Sequence, residues 1–261
     1  MPVLAALVLL AWCGPSCGGT AAFDSAMVLA LQRSLDDAVA EEGIVGAAMA
    51  VRAPDGSTWS GASGLAILPG EAGMGLSKDA AAGTPMTTGM HFHIASTTKS
   101  LTATMILQLV DEGKLSLDET LDQIVARWFL PGYVDFAVPY GDAITLRNIL
   151  QMRSGMVDYF ATEEGATRFA QRPLESIDPR EMLRVGAESV DPAPYAPGTR
   201  MEYCNTNFIW QGVIIEQVTG NAFAEEARRR LFIPLGLGET SVPDSAAMPA
   251  PYAHGYLPVD G

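Results

Sequence analysis

The order of periodicities along the chain is its strongest constraint: after one opening helix the strand-like segments are grouped together, and many helical ones follow. Gly46 to Arg52 and Ser57 to Gly64 read as two strands, and Pro54-Asp55-Gly56 between them supplies the backbone freedom of a tight hairpin turn. Before the hairpin, Met27, Leu31, Leu35 and Val39 recur at four-residue spacing, which predicts a helix over Ser25 to Glu42 ended by Gly43. Residues 65 to 90, rich in Gly, Ala and Met, show no period and read as a loop. Grouped strands followed by a helical stretch fit an α/β protein of the α+β type, and do not fit an alternating parallel sheet.

The helical stretch is punctuated clearly. Leu101, Met105, Ile106, Leu109 and Val110 predict a helix from Ser96 to Glu112, closed by Gly113. Ser116-Leu117-Asp118-Glu119 has the form of a capping box for a helix running on toward Trp128. Shorter helices are predicted at Thr145 to Arg153 and Pro179 to Val185. Phe208, Ile209, Val213, Ile214 and Val218 predict another over Asn205 to Thr219, ended by Gly220. Asn221 is placed to cap a last one, Ala222 to Leu231. The helical region is expected to hold residues from about 116 to 200.

Length and charge bound the function. A chain of 261 residues buries a real core. Its net charge of −14 repels polyanions, so no nucleic-acid partner is expected. Val3 to Trp12 is too short an apolar run to span a bilayer, yet it suits the core of a secretory signal. Residues 1–22 are therefore read as a signal peptide with cleavage after Ala22, leaving 23–261 as the exported domain, periplasmic or extracellular. An ordinary apolar tail is the competing reading, because no basic residues precede the run. Lipid attachment at Cys17 is a further alternative, although Gly14 and Pro15 suit it poorly. Loss of Cys13 and Cys17 with the leader leaves Cys204 alone, so no disulfide framework is expected.

Ser96-Thr97-Thr98-Lys99 opens the predicted helix that follows the β-like run Met90 to Ile94. Residues three apart share a helix face, so the Lys99 amine can reach the Ser96 hydroxyl, and the helix N-terminus favours negative charge there. That arrangement activates a serine without histidine, provided burial or a positive field favours the neutral amine. A bare Ser-x-x-Lys is a weak signal, more often an N-cap with a surface lysine. Tyr203-Cys204-Asn205 adds a second element. In an extended segment Tyr203 and Asn205 face one way and Cys204 another. A phenol can relay a proton, and an amide can hold Lys99 or a substrate carbonyl. Taken alone, the pair also fits a buried Tyr and a helix-capping Asn.

The segments HIASTTKSLTATMILQLVDEGKLSLDETL, ITLRNILQMRSGMVDY, YAPGTRMEYCNTNFIWQGVIIEQVTG and FIPLGLGET resemble successive blocks of the β-lactamase-like serine hydrolase family. That family includes class C β-lactamases, D-alanyl-D-alanine carboxypeptidases, D-aminopeptidases and esterases. The resemblance implies a β-lactamase/transpeptidase-like fold, with an antiparallel sheet flanked by helices and a helical region inserted. It implies that Ser96 is acylated, Lys99 accepts its proton, Tyr203 activates the deacylating water and Asn205 anchors substrate and Lys99. The expected reaction is acyl transfer from an amide, β-lactam or ester, on a small-molecule or peptide substrate and with no cofactor. A binding module that captures penicillin or peptide without turnover is the alternative. Oligomeric state is not legible.

The family's third motif, Lys-Thr-Gly or His-x-Gly, has no counterpart in its expected place. Arg153-Ser154-Gly155 lies too early and His254-Gly255-Tyr256 precedes the motif's usual position, so neither is accepted. The expectation is that the last strands, one oxyanion-hole N–H and the terminal helix are missing. The 261-residue chain is then expected to expose strand edges and to be poorly soluble and weakly active. His91 and His93 lack the acid that a zinc motif needs, Ala95 standing in its place, and no metal site is expected. Glu163 and Glu164 read as a solvated loop pair. Arg228-Arg229-Arg230 reads as the basic end of a helix.

Overall fold

The structure is a computed structural model in which residues 23–70, 83–171, 175–189, 195–243, 245 and 247–256 are described. The expected leader, with Cys13 and Cys17, lies outside the described residues. Two compact units divide the chain: Met1–Ile94 together with Ala247–Gly261, and Ala95–Ala246. Among the described residues no helix is long and apolar enough to cross a membrane.

The first unit is built on the hairpin. Helix α1 (Ser25–Glu41) starts where the Asp24 carboxylate accepts the Met27 N–H at 2.8 Å. Of its expected stripe only Leu35 is buried, while Leu31 and Val39 are half-buried and Met27 is exposed. Strands β1 (Gly46–Arg52) and β2 (Thr58–Ile67) pair antiparallel, and Asp55 in the turn accepts both the Ser57 N–H and its hydroxyl. Gly64 has φ +75°, and a side chain there would meet the Val45 carbonyl at 2.4 Å, so the strands can come together only over glycine.

The expected loop at 65 to 90 is partly strand. Strand β2 continues to Ile67, and β3 (Thr84–Pro85) pairs with its end to give the order β1-β2-β3. Ala66, Ile67, Met86 and Ala253 form this unit's core, a cluster too small and too discontinuous in sequence to show a period. Ala253 is brought in by a returning segment. The His91 N–H donates to the Pro251 carbonyl at 2.8 Å, the Ala253 N–H to His91 at 3.0 Å and the His254 N–H to Ala66 at 2.9 Å. The β-like run Met90 to Ile94 thus amounts to one parallel bridge, His91 with Tyr252.

The second unit is helical: α2 (Thr98–Asp111), α3 (Leu121–Trp128), α4 (Leu146–Leu150), α5 (Glu163–Gln171), α6 (Pro179–Glu188), α7 (Thr206–Thr219) and α8 (Phe223–Ala227). Helix α7 carries Trp210, Val213, Ile214, Ile215 and Val218 into the core, too many directions for one stripe. A helix apolar on several faces must be central. Met105, Ile106 and Leu109 of α2, Leu121 and Ile124 of α3, Leu146 and Ile149 of α4 and Leu183 of α6 join the same core.

Three local expectations need correction. The capping box of α3 is Thr120 with Gln123, not Ser116 with Glu119, because the preceding chain is tied into other bonds: the Leu121 N–H donates to Ile144 and Leu146 to Glu119. Ser116 and Glu119 form a turn one step earlier. Asn221 does not cap α8; its amide donates to Glu226 at 2.8 Å, and the helix gives way to a π-helical turn at Arg228–Phe232. Glu163 and Glu164 open α5 rather than sitting in a loop, though both remain exposed.

The arginine run does stand at the basic end of a helical segment, and it has a second role. Arg229 and Arg230 both pair with the fully buried Glu226, and Arg230 also bridges to Glu112 at the end of α2. Burial pushes the Glu226 carboxyl up, but hydrogen bonds from Arg229, Arg230 and Asn221 overcome it and hold it at about 2, against an ordinary 4.5. A carboxyl depressed on folding contributes stability above its unfolded value and loses it as pH falls. Unfolding in urea should therefore show stability declining from about pH 4.5 toward pH 2. Glu226→Gln should cost about 1.5–3 kcal/mol at pH 7, because it removes the charged acceptor that Arg229 and Arg230 share while Glu112 still balances Arg230, and should reduce the acid decline.

Candidate active site

All four residues singled out from the sequence lie in the second unit, and their side chains meet. Ser96 sits in a 3₁₀ turn, Ala95–Thr97, that leads directly into α2, and Lys99 stands in the first turn of that helix. The Lys99 ammonium donates to Ser96 Oγ at 3.0 Å and to Asn205 Oδ1 at 2.8 Å. Across from it, Ser96 Oγ and Tyr203 Oη are 2.8 Å apart. The Tyr203 and Phe208 rings stand 5.0 Å and 5.3 Å from Nζ, within cation–π range.

The backbone is shaped to present the serine. Ala95 has φ +43°, a left-handed conformation that an alanine seldom adopts and that costs on the order of 1–3 kcal/mol. The turn it makes leaves Ser96 exposed at the mouth of α2. Strain of this size persists only where the surroundings determine it.

Tyr203 and Asn205 come from the extended segment before α7. Cys204, between them, is buried with its thiol toward the Met156 carbonyl, as alternation requires. Two loops hold this segment together. The Glu202 N–H donates to the Met152 carbonyl at 2.9 Å, and the Gly198 N–H to Arg153 at 2.8 Å. The Arg153 guanidinium returns a bond to the Gly198 carbonyl at 2.6 Å. Arg153-Ser154-Gly155 therefore serves as a brace for the loop. Gly155 has φ +78°, and a side chain on it would strike the Tyr195 carbonyl at 2.2 Å.

Asn205 stands at the N-cap position of α7 but makes no capping bond. Its side chain is spent elsewhere: Oδ1 accepts from Lys99 and Nδ2 donates to Asp158 Oδ2 at 2.9 Å. The capping reading does not account for Asn205. Burial pushes the Tyr203 phenol up, and hydrogen bonds from Lys99 and Ser96 together with the Lys99 charge outweigh it, leaving it below its ordinary 10. That shift favours the phenolate, the form of the side chain that can act as a base.

Asp158 and Phe208 were not legible as site residues. Asp158 stands next to last in the block SGMVDY, but its contact with Asn205 spans 47 positions, and nothing local in either segment announces it. Phe208 read as an apolar residue of α7, one turn beyond Asn205.

Residues 31–260 match the sequence model of the family described as Beta-lactamase. The chain belongs to the beta-lactamase family. It is similar to penicillin-binding protein 4 of Amycolatopsis lactamdurans, at 29% identity over 63% of this chain and 39% of that protein. It is also similar to the lovastatin esterase of Penicillium rubens, at 34% identity over 57% of this chain and 38% of the esterase. Among solved structures, a D-stereospecific amidohydrolase from a Streptomyces species superposes with a TM-score of 0.65 at 28% identity, covering 86% of this chain and 59% of that one. The chain thus spans about two-fifths of the length of the curated relatives it matches. The beta-lactamase fold, helices with an antiparallel sheet, and the serine hydrolase family follow from these matches.

One buried hydroxyl ties the loop Val157 to Tyr159 to the start of α7. Thr206 Oγ donates to the Val157 carbonyl at 2.7 Å and accepts the Tyr159 N–H at 3.0 Å. Thr206→Val keeps the shape and removes both bonds, leaving two backbone groups unpaired. Urea denaturation should show a loss of about 1–3 kcal/mol for each group left unsatisfied.

Proposed function

We propose that this chain performs acyl transfer through a serine-bound intermediate on an amide, β-lactam or ester carbonyl. The observation that carries the reading is that Lys99 Nζ and Tyr203 Oη both lie within hydrogen-bond reach of Ser96 Oγ, at 3.0 and 2.8 Å. Ser96 Oγ attacks the carbonyl carbon as its proton passes to the neutral amine of Lys99. Collapse of the tetrahedral adduct expels the leaving group, which takes the proton that Lys99 received. In the second half Tyr203, as the phenolate, accepts a proton from the water that attacks the ester to Ser96, and passes it to Ser96 Oγ as the C–O bond breaks and the acid is freed. Asn205 holds Lys99 and receives the substrate.

The relatives' own descriptions divide the substrate question among penicillin binding, ester cleavage and cleavage of D-stereospecific amides. The contact of Tyr203 with Ser96, and the phenol's depressed proton affinity, favour turnover over a sensor that stops at the acyl-enzyme. Export across a membrane, drawn from the apolar run Val3 to Trp12, belongs to the same proposal.

A fluorophosphonate and a fluorescent penicillin, followed by mass spectrometry of the Ser96 peptide, test the first half-reaction. A chromogenic ester and a D-amino-acid anilide test turnover. Labelling should occur at Ser96 and vanish in Ser96→Ala. Tyr203→Phe should slow release of product by about 10²- to 10⁴-fold, the usual share of a general base. Folded protein that no probe labels at Ser96 would refute the proposal, and labelling without product release would favour the sensor.

A further inference from the structure

We infer that Asp158 is a positioning residue for this site, clamping the Asn205 amide so that its oxygen, and not its nitrogen, faces Lys99. The inference rests on the serine hydrolase reading and names a part of the machinery beyond it. An asparagine amide is nearly symmetric in shape but opposite in chemistry at its two ends, one accepting and one donating. At Asn205 the two ends meet opposite partners. Lys99 places an N–H donor 2.8 Å from Oδ1, and Asp158 places a carboxylate acceptor 2.9 Å from Nδ2. Turned over, the amide would set N–H against the Lys99 N–H and oxygen against carboxylate. Without Asp158, nothing at the Nδ2 end would distinguish the two orientations.

Asp158 is itself fixed from both sides. Its Oδ1 accepts the Phe160 N–H at 3.1 Å, and the backbone groups that flank it, the Val157 carbonyl and the Tyr159 N–H, both bond the Thr206 hydroxyl. Thr206 is the residue next to Asn205. The clamp and the amide it holds are therefore pinned to one another through adjacent backbone, which limits how far either can drift. The arrangement also sets a carboxylate behind the lysine, where its charge opposes that of Lys99 at the Tyr203 phenol.

The full chain tests this in two independent ways. Asp158→Asn keeps an acceptor for the Phe160 N–H but presents Asn205 with a group that can donate or accept. Its maximal rate of Ser96 labelling by a fluorophosphonate should fall about 10- to 100-fold, the loss expected for one hydrogen bond to a charged group, while half-saturation stays within about threefold. In an Asn205→Ala background the same change should cost less than about threefold, because its target is gone. Equal losses in both backgrounds, or a wild-type rate in Asp158→Asn at matched melting temperature, would overturn the inference.

The second test needs no activity. In ¹H–¹⁵N spectra, the Asn205 side-chain amide should show one proton shifted downfield by the carboxylate, and the shift should disappear in Asp158→Ala. An Asn205 amide with ordinary shifts in the wild type sinks the clamp. Failure of Ser96 to label in a protein that shows the shifted amide sinks the hydrolase reading and leaves the clamp standing.

Discussion

A lysine ammonium drawn partly out of water has to be met by acceptors, and the second unit is arranged around meeting Lys99. Ser96 lies one turn behind it on the same helix, Asn205 faces it from the start of α7, and the Tyr203 and Phe208 rings close the remaining sides. The first partner comes with the helix. The others require α2 and α7 to lie together, which the burial of Met105, Ile106 and Leu109 with Trp210, Val213 and Ile214 achieves. A close-packed core of this kind resists small displacements, so a site made of bonds between 2.8 and 3.0 Å can be held by residues far from the chemistry.

The elements that were legible from the chain alone are those whose cause is local. The hairpin follows from period-two patterning and one Asp-Gly turn. Helix α2 stops where Gly113 takes φ +69°, and α7 where Gly220 takes φ +71°. Ends set by tertiary bonds were misread. Ser116 carries the right residues for a cap, yet Leu121 and Leu146 pair with Ile144 and Glu119 and move the helix start to Thr120. Arg229 and Arg230 look like a dipole-matched tail, and only the fold shows that they neutralise a buried glutamate.

The same division holds at the site. Ser96 and Lys99 could be paired from helical spacing, and Tyr203 and Asn205 from alternation, because both rules act over three residues or fewer. Bringing the pairs together needed the family resemblance, since no periodicity reaches from 99 to 205. Asp158 escaped because its contact with Asn205 spans 47 positions, and the residue that joins the two segments, Thr206, reads from pattern only as a helix beginning. Its hydroxyl zips two segments that are distant in sequence.

Helix beginnings in fact divide by role. Asp24, Thr120, Thr145 and Asp178 each bond a backbone N–H of the α-helix they precede and take no part in the site, while Asp158 caps the short 3₁₀ turn Tyr159–Ala161 with one oxygen and holds Asn205 with the other. The two helices that carry the site do otherwise: Thr97 before α2 and Asn205 before α7 make no side-chain cap, and both have helical backbone angles at the position where a cap is normally extended. Helix α8 also lacks one, but there Ala222 has nothing to offer and Glu216 accepts the Phe223 N–H in its stead. A missing cap costs a helix on the order of 1 kcal/mol. At Asn205 the amide that would have supplied it is turned to Lys99 and Asp158 instead. At α2 Thr97 makes no side-chain cap, and Ser96 stands in the 3₁₀ turn just before that helix start, where the helix dipole favours negative charge. Stability forgone at these two helix starts is the physical counterpart of a site that must keep its polar groups free to bind something else.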